Sequence, residues 1–224
     1  MDGPPSDRVG SLVTMESYPV TFSVEYPDRP LDRLSTALRI FWIIPIAIIL
    51  GLIDQGSAHF AHGGPDNRTS AELAASGGTL FAPVLLMLLF RQKYPRWWYD
   101  WNLELNRFSN RVLVYLSLMD DRYPSTDEHQ AVRLHYPEVA GPELNRWLPL
   151  VKWILAIPHF IVLFFLGIAA FFVVVFAWFA IVLTGRYPRG AFEFVEGVMR
   201  WGNRVAGYAV TLVTDAYPPF GLSA

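Results

Sequence analysis

The 224-residue chain contains no cysteine. Disulfides, iron–sulfur clusters and thiolate chemistry are therefore excluded. Charge is scarce as well. Asp, Glu, Lys and Arg make up 17% of the residues and the formal net charge is -2, so no basic surplus exists to hold a nucleic acid. The sequence also lacks a nucleophile elbow, a phosphate-binding glycine loop, a dinucleotide fingerprint and a His-Glu metal motif, so enzymatic activity is disfavoured and no cofactor is expected. No basic stretch leads into an apolar core at the start, as a cleavable signal peptide would. Residues 1–17 read as a disordered tail.

What the chain has in quantity is apolar sequence. The hydrophobic fraction is 53% and the mean hydropathy +0.29, above an ordinary soluble domain, and the excess is concentrated in runs. Leu38 to Ile53 is the first, about 71–90 the second, and Leu148 to Leu183 the third. All but one of the 18 Lys and Arg residues lie at or beyond the ends of these runs, on what would be one side of a membrane; the exception is Arg68. Such asymmetry places the charged side in the cytoplasm. The expected location is the bacterial inner membrane, with both termini cytoplasmic and the polar loop 54–70 outside. The third run would extend about 54 Å as one helix, well beyond a hydrocarbon core of about 30 Å. The sequence therefore predicts a hairpin of two short spans turning near Gly167-Ile168-Ala169, and four spans in all.

The chain also matches itself. Lys93-Tyr94-Pro95-Arg96 returns as Arg186-Tyr187-Pro188-Arg189, displaced by 93 positions. At the same displacement Asp100 meets Glu193, Arg107 meets Arg200, Asn110-Arg111-Val112 meets Asn203-Arg204-Val205, and Tyr115 meets Tyr208. One residue is then inserted, and Asp121-x-Tyr123-Pro124 answers Asp215-x-Tyr217-Pro218. Upstream, Val24-Glu25-Tyr26-Pro27 resembles Leu134-His135-Tyr136-Pro137, and Arg33, Arg39 and Pro45 align with Arg146, Lys152 and Pro158. The predicted fold is a predominantly α-helical polytopic membrane protein built as a parallel internal repeat. The first repeat, 18–127, holds a strand, spans at about 38–53 and 71–90, and an interfacial helix at about 97–119. The second, 128–220, holds a strand, spans at about 148–166 and 168–183, and a helix at about 190–213.

Alternation of Val20, Phe22, Val24 and Tyr26 with Thr21, Ser23 and Glu25 has the period of a half-buried strand. Val132, Leu134 and Tyr136 repeat it, and the two copies can pair. Trp101, Leu105, Phe108, Val112, Tyr115 and Met119 recur at steps of three and four, which gives an amphipathic helix in the headgroup layer.

The polar set repeated in both halves is the candidate site: Asp100, Arg107, Asn110, Arg111 and Tyr115, with Glu193, Arg200, Asn203, Arg204 and Tyr208. Two Arg one turn apart can bind lipid phosphate or a partner carboxylate. The same groups can equally hold the two repeats together. His59 and His62, with Asp54 and Asp66 nearby, are the only metal candidates, and a solvated loop explains them as well. His159 and Lys152 lie near the start of the third run, where an interfacial hydrogen bond competes with a proton relay.

The stretch from Tyr18 to Pro45, and the cassette Arg-Tyr-Pro, Asn-Arg-Val, Tyr, Asp-x-Tyr-Pro, resemble DUF4389, a bacterial membrane-protein family defined as a domain of unknown function. The resemblance runs from about Tyr18 to Phe220 as two cassettes and implies no activity, cofactor or catalytic residue. The expected role is a non-catalytic accessory subunit or scaffold that binds membrane lipids, other membrane proteins or further copies of itself. A small transporter with a site between the hairpins is the alternative.

Overall fold

The computed structural model describes residues 18–39, 85–91, 94–126, 128, 130–138, 144–145 and 147–223. In chain order they form β1 (Thr21–Val24), α1 (Arg96–Leu116), β2 (Val132–His135), α2 (Leu148–Thr184) and α3 (Arg189–Ala209). Residues 33–39 and 85–91 are helical too.

Both strands form where alternation predicts them. They pair antiparallel, with Phe22 opposite Leu134 and Val24 opposite Val132. Val20, Phe22, Val24, Val132 and Leu134 face inward and Thr21 and Ser23 face out. Each amphipathic helix starts after a proline: Pro95 and Pro188 hold φ at -65° and -62° with ψ at 128° and 126°, a geometry the pyrrolidine ring presets. Each helix is followed by a leucine in the left-handed region, Leu118 at φ 64° and Leu212 at φ 55°. Both are buried, so packing holds them where a non-glycine residue is strained.

The layers exchange partners. Helix α1 packs on β2, and α3 packs on β1. The other side of α3 meets α2. One core cluster joins the inner face of the sheet to Phe192 and Val195 of α3 and to Ala177 and Ile181 of α2. A second lies toward the start of α2, where Ala156 meets Trp201, Val205, Tyr208 and Ala209. Gly207 lets α3 approach β1: a Cβ built there would stand 2.7 Å from Val20 Cγ2. The Gly207→Ala variant gains helix propensity but overpacks this contact, and thermal unfolding should show a net loss of about 1 kcal/mol.

Among the described residues one helix, α2, is long and apolar enough to cross a membrane. It runs unbroken for 37 residues. The hairpin predicted for 148–166 and 168–183 therefore does not form, and the four-span reading loses its second pair. The reason is local. Gly167-Ile168-Ala169 lies between Leu166 and Ala170 with no second turn-forming residue beside Gly167, and a continuous helix satisfies every backbone group that a turn in apolar surroundings would orphan. A Cβ at Gly167 meets nothing within 4 Å, so no close approach requires glycine there. The first predicted pair, 38–53 and 71–90, falls largely outside the described residues.

Candidate functional site

Asn110 of α1 and Asn203 of α3 meet in the interior. Each side-chain amide donates to the other's oxygen at 2.8 Å. Each also donates to the carbonyl four residues earlier, Asn106 at 2.8 Å and Met199 at 2.9 Å. Both asparagines are buried, and their four amide N–H groups are all satisfied.

The arginines one turn earlier reach the sheet. Arg107 donates from Nε and from a terminal nitrogen to the Leu134 carbonyl, both at 3.1 Å. Arg200 donates from Nε to the Phe22 carbonyl at 3.0 Å. Leu134 and Phe22 are themselves partners across the strands, so the two helices grip the same rung from opposite sides. Glu104 and Glu196 complete the pairs at 2.5 and 2.6 Å.

A buried cation sits beneath each repeated tyrosine. The Arg39 guanidinium lies 4.3 Å from the Tyr115 ring centroid and donates to the carbonyls of Tyr115 and Asp120 at 2.8 Å each. Lys152 Nζ lies 5.0 Å from the Tyr208 ring, donates to the Thr214 carbonyl at 2.7 Å and pairs with Asp215 at 2.7 Å. Tyr123 and Tyr217 close these cages edge-on, with ring centroids 5.9 and 5.7 Å from Tyr115 and Tyr208. His159 accepts from Trp201 Nε1 at 3.0 Å on Nδ1 and stacks on Phe220 at 3.9 Å.

Arg111 donates to the Ser125 carbonyl at 2.7 Å. Arg204 lies under the Tyr18 ring, 5.8 Å from its centroid, where burial and then the neighbouring Arg200 charge lower its pKa. Thus eight of the ten residues singled out from the sequence turn inward, and only Asp100 and Glu193 are exposed. His59 and His62 lie outside the described residues.

Of the cavities that border this core, two are lined by the repeated arginines. The larger, about 610 Å³, opens between the sheet and α1 and is lined by Glu104, Arg107, Arg111, Arg133 and His135. The smaller, about 270 Å³, lies at the C-terminal end of α2, lined by Asp28, Arg29, Leu31, Arg186, Tyr187 and Arg189. Arg29 pairs with Asp121. Among the described residues no carboxylate pairs with Arg186 or Arg189, although Arg189 lies 5.0 Å from the Tyr26 ring. Sequence reasoning took Arg186 and Arg189 as a repeat motif only. The signal for a site was their position immediately beyond an apolar run, with no acid among them.

Residues 147–221 match the profile of a family described as a domain of unknown function. The chain resembles DUF4389. The DUF4389 segment contains α2, α3, Lys152, Asn203 and Asp215, and leaves the first predicted repeat outside. No curated protein and no solved structure matches the chain.

Three tyrosines near this segment give the fold a pH limit. Burial pushes the phenols of Tyr94, Tyr136 and Tyr187 well above the ordinary value near 10. The folded state thus holds these protons more tightly than the unfolded chain does. Their contribution is intact below about pH 10 and is lost as pH rises toward the folded values. Alkaline titration followed by phenolate absorbance and circular dichroism should show these phenols ionising only as the helices unfold.

Proposed function

We propose that this chain is a non-catalytic membrane protein, an accessory subunit or scaffold, that binds anionic lipid headgroups where α2 ends and membrane-protein partners through its exposed apolar surface. The observation that carries the reading is the cavity lined by Arg186 and Arg189, with Arg29 and Asp28, immediately beyond a helix long and apolar enough to cross a membrane. Guanidinium groups at the edge of an apolar surface suit lipid phosphate, which they bind bidentately. Exposed apolar side chains stand at helix ends: Leu183 near the end of α2, Phe90 at the end of 85–91 and Trp97 at the start of α1 are 75%, 70% and 65% exposed. Trp and Arg at helix ends are residue types that headgroup layers favour. The one-sided distribution of Lys and Arg supports the cytoplasmic face of a bacterial inner membrane.

The scaffold is two copies of one cassette related by a pseudo-two-fold axis that passes between Asn110 and Asn203. Support comes from contacts that recur at matched positions, cation over tyrosine and left-handed leucine after each helix, and from the matched Arg107 and Arg200 each reaching a strand carbonyl, although not the equivalent one. The exchange of α1 onto β2 and α3 onto β1 locks the copies into one body.

Native mass spectrometry after mild-detergent extraction tests the lipid site. The expected result is an anionic phospholipid or a stoichiometric partner retained by the native chain. Replacing Arg186 and Arg189 by Gln should weaken phosphatidylglycerol binding about 30-fold, at about 1 kcal/mol for each basic residue. Unchanged retention in the double variant would remove the site.

A further inference from the structure

The inner and outer faces of α2 differ along its whole length. Lys152, Ala156 and His159 are buried at one end and Ala177 and Ile181 at the other. Between them Leu163 and Leu166 pack on the second core cluster, and Ala170, Val173 and Val174 on the first. The steps are three and four throughout, so a single stripe of the helix is covered from end to end. Among the described residues the opposite side is uncovered: Phe164, Phe165, Phe171, Phe172 and Phe176 are 63–65% exposed. No charged residue interrupts the sequence between Lys152 and Arg186.

We propose that α2 lies in the plane of an anionic bilayer, sunk along its phenylalanine face, and does not cross it. This deepens the reading above and rests on the chain being a membrane protein. Length is the first argument. Thirty-seven residues extend about 55 Å, so an upright α2 would carry nearly half of its length beyond a core of about 30 Å. The second argument is α3. It packs alongside α2 and carries Glu193, Glu196, Arg200 and Arg204, with the polar sheet behind it. An upright α2 would draw those charges and the exposed strand edges to hydrocarbon depth, where they are costly. Laid flat, α2 puts its phenylalanines about 5–10 Å into the acyl boundary and leaves α3 and the sheet in water. The third argument is charge. Arg186 and Arg189 continue directly from the end of the apolar face, so an anionic surface meets both features at once.

The absence of cysteine makes the test direct. Ile154, Ile161, Ile168 and Val175, all exposed, stand seven residues apart on one face and cover about 32 Å of the axis. Each is replaced singly by Cys, labelled with a nitroxide, and reconstituted in phosphatidylcholine vesicles containing a minority of phosphatidylglycerol. Power saturation with oxygen and a water-soluble nickel chelate then reads the depth of each label. The expected result is four depths within about 5 Å of one another, all in the outer part of one monolayer. A profile that passes through the bilayer centre between Ile161 and Ile168, with Ile154 and Val175 near opposite surfaces, would overturn it. Spin–spin broadening along the face, removed by dilution with unlabelled chain, would assign the face to a second copy and overturn the lipid occupant. Vesicle flotation of the same samples separates the two levels of the claim: a chain that fails to float overturns the membrane reading itself, whereas one that floats with a spanning profile overturns only the in-plane geometry.

Discussion

Asp215→Ala is expected to destabilise the fold by about 3–5 kcal/mol, the cost of leaving a buried charge without its partner. Lys152 is fully buried, and its ammonium has three neighbours: the Asp215 carboxylate, the Thr214 carbonyl and the face of Tyr208. Only the carboxylate carries charge. Without it the ammonium keeps one hydrogen bond and a ring, which do not replace the water it gave up. The reverse variant, Lys152→Met, should cost less, because the Asp215 side chain is 26% exposed and can turn toward solvent. Combining the two removes both charges and fills the Lys152 site with an apolar side chain of similar length. Urea unfolding in mild detergent should then place the double variant above Asp215→Ala alone. A loss below about 1 kcal/mol for Asp215→Ala would mean that solvent screens the pair as it does an exterior one.

That contact also shows what the sequence makes legible. The match of Lys152 with Arg39, of Tyr208 with Tyr115 and of Asp215 with Asp121 is readable from spacing alone, and the structure puts each buried cation beneath the corresponding tyrosine. The strands are readable because alternation has a period that only a half-buried sheet rewards. The helix starts are readable because proline presets φ. The exchange of helices between strands is not, because periodicity says which face is apolar and nothing about which neighbour covers it.

The two faces of α2 were hidden for a related reason. A hairpin of two short spans and one long helix draw on the same residues, and the decision between them rests on Gly167, a residue compatible with both. The stripe that distinguishes an in-plane helix is nearly invisible when both sides are apolar: Ala156, Ala177 and Ile181 inside differ from Phe164 and Phe172 outside mainly in size. The arginine cavity needed three dimensions as well. Arg29, in the loop after β1, joins Arg186 and Arg189 across most of the chain. Residues repeated in both halves admit two readings from the sequence, a ligand site and a seam between the repeats. In the fold their contacts are largely internal.

Asn110 and Asn203 give that argument its sharpest test. Asn110→Leu is expected to cost about 2–4 kcal/mol, because it orphans one N–H and one C=O on Asn203, each worth about 1–3 kcal/mol when buried and partly relieved by local adjustment. Asn203→Leu should cost about the same, since each amide makes the same pair of bonds to the other and the same bond to its own helix. In the double variant no side-chain amide is left to satisfy, and two leucines of similar volume meet between the helices. Its loss should therefore fall well below the sum of the single losses, with a coupling of about 1–3 kcal/mol in a double-mutant cycle read by thermal unfolding. Strict additivity would mean that each amide is solvated separately and that the helices do not meet through this pair. Unequal single variants would place the axis elsewhere. Equality is the demanding outcome, because two unrelated positions on two unrelated helices have no reason to share one energy, whereas two copies of one position facing each other across an axis do.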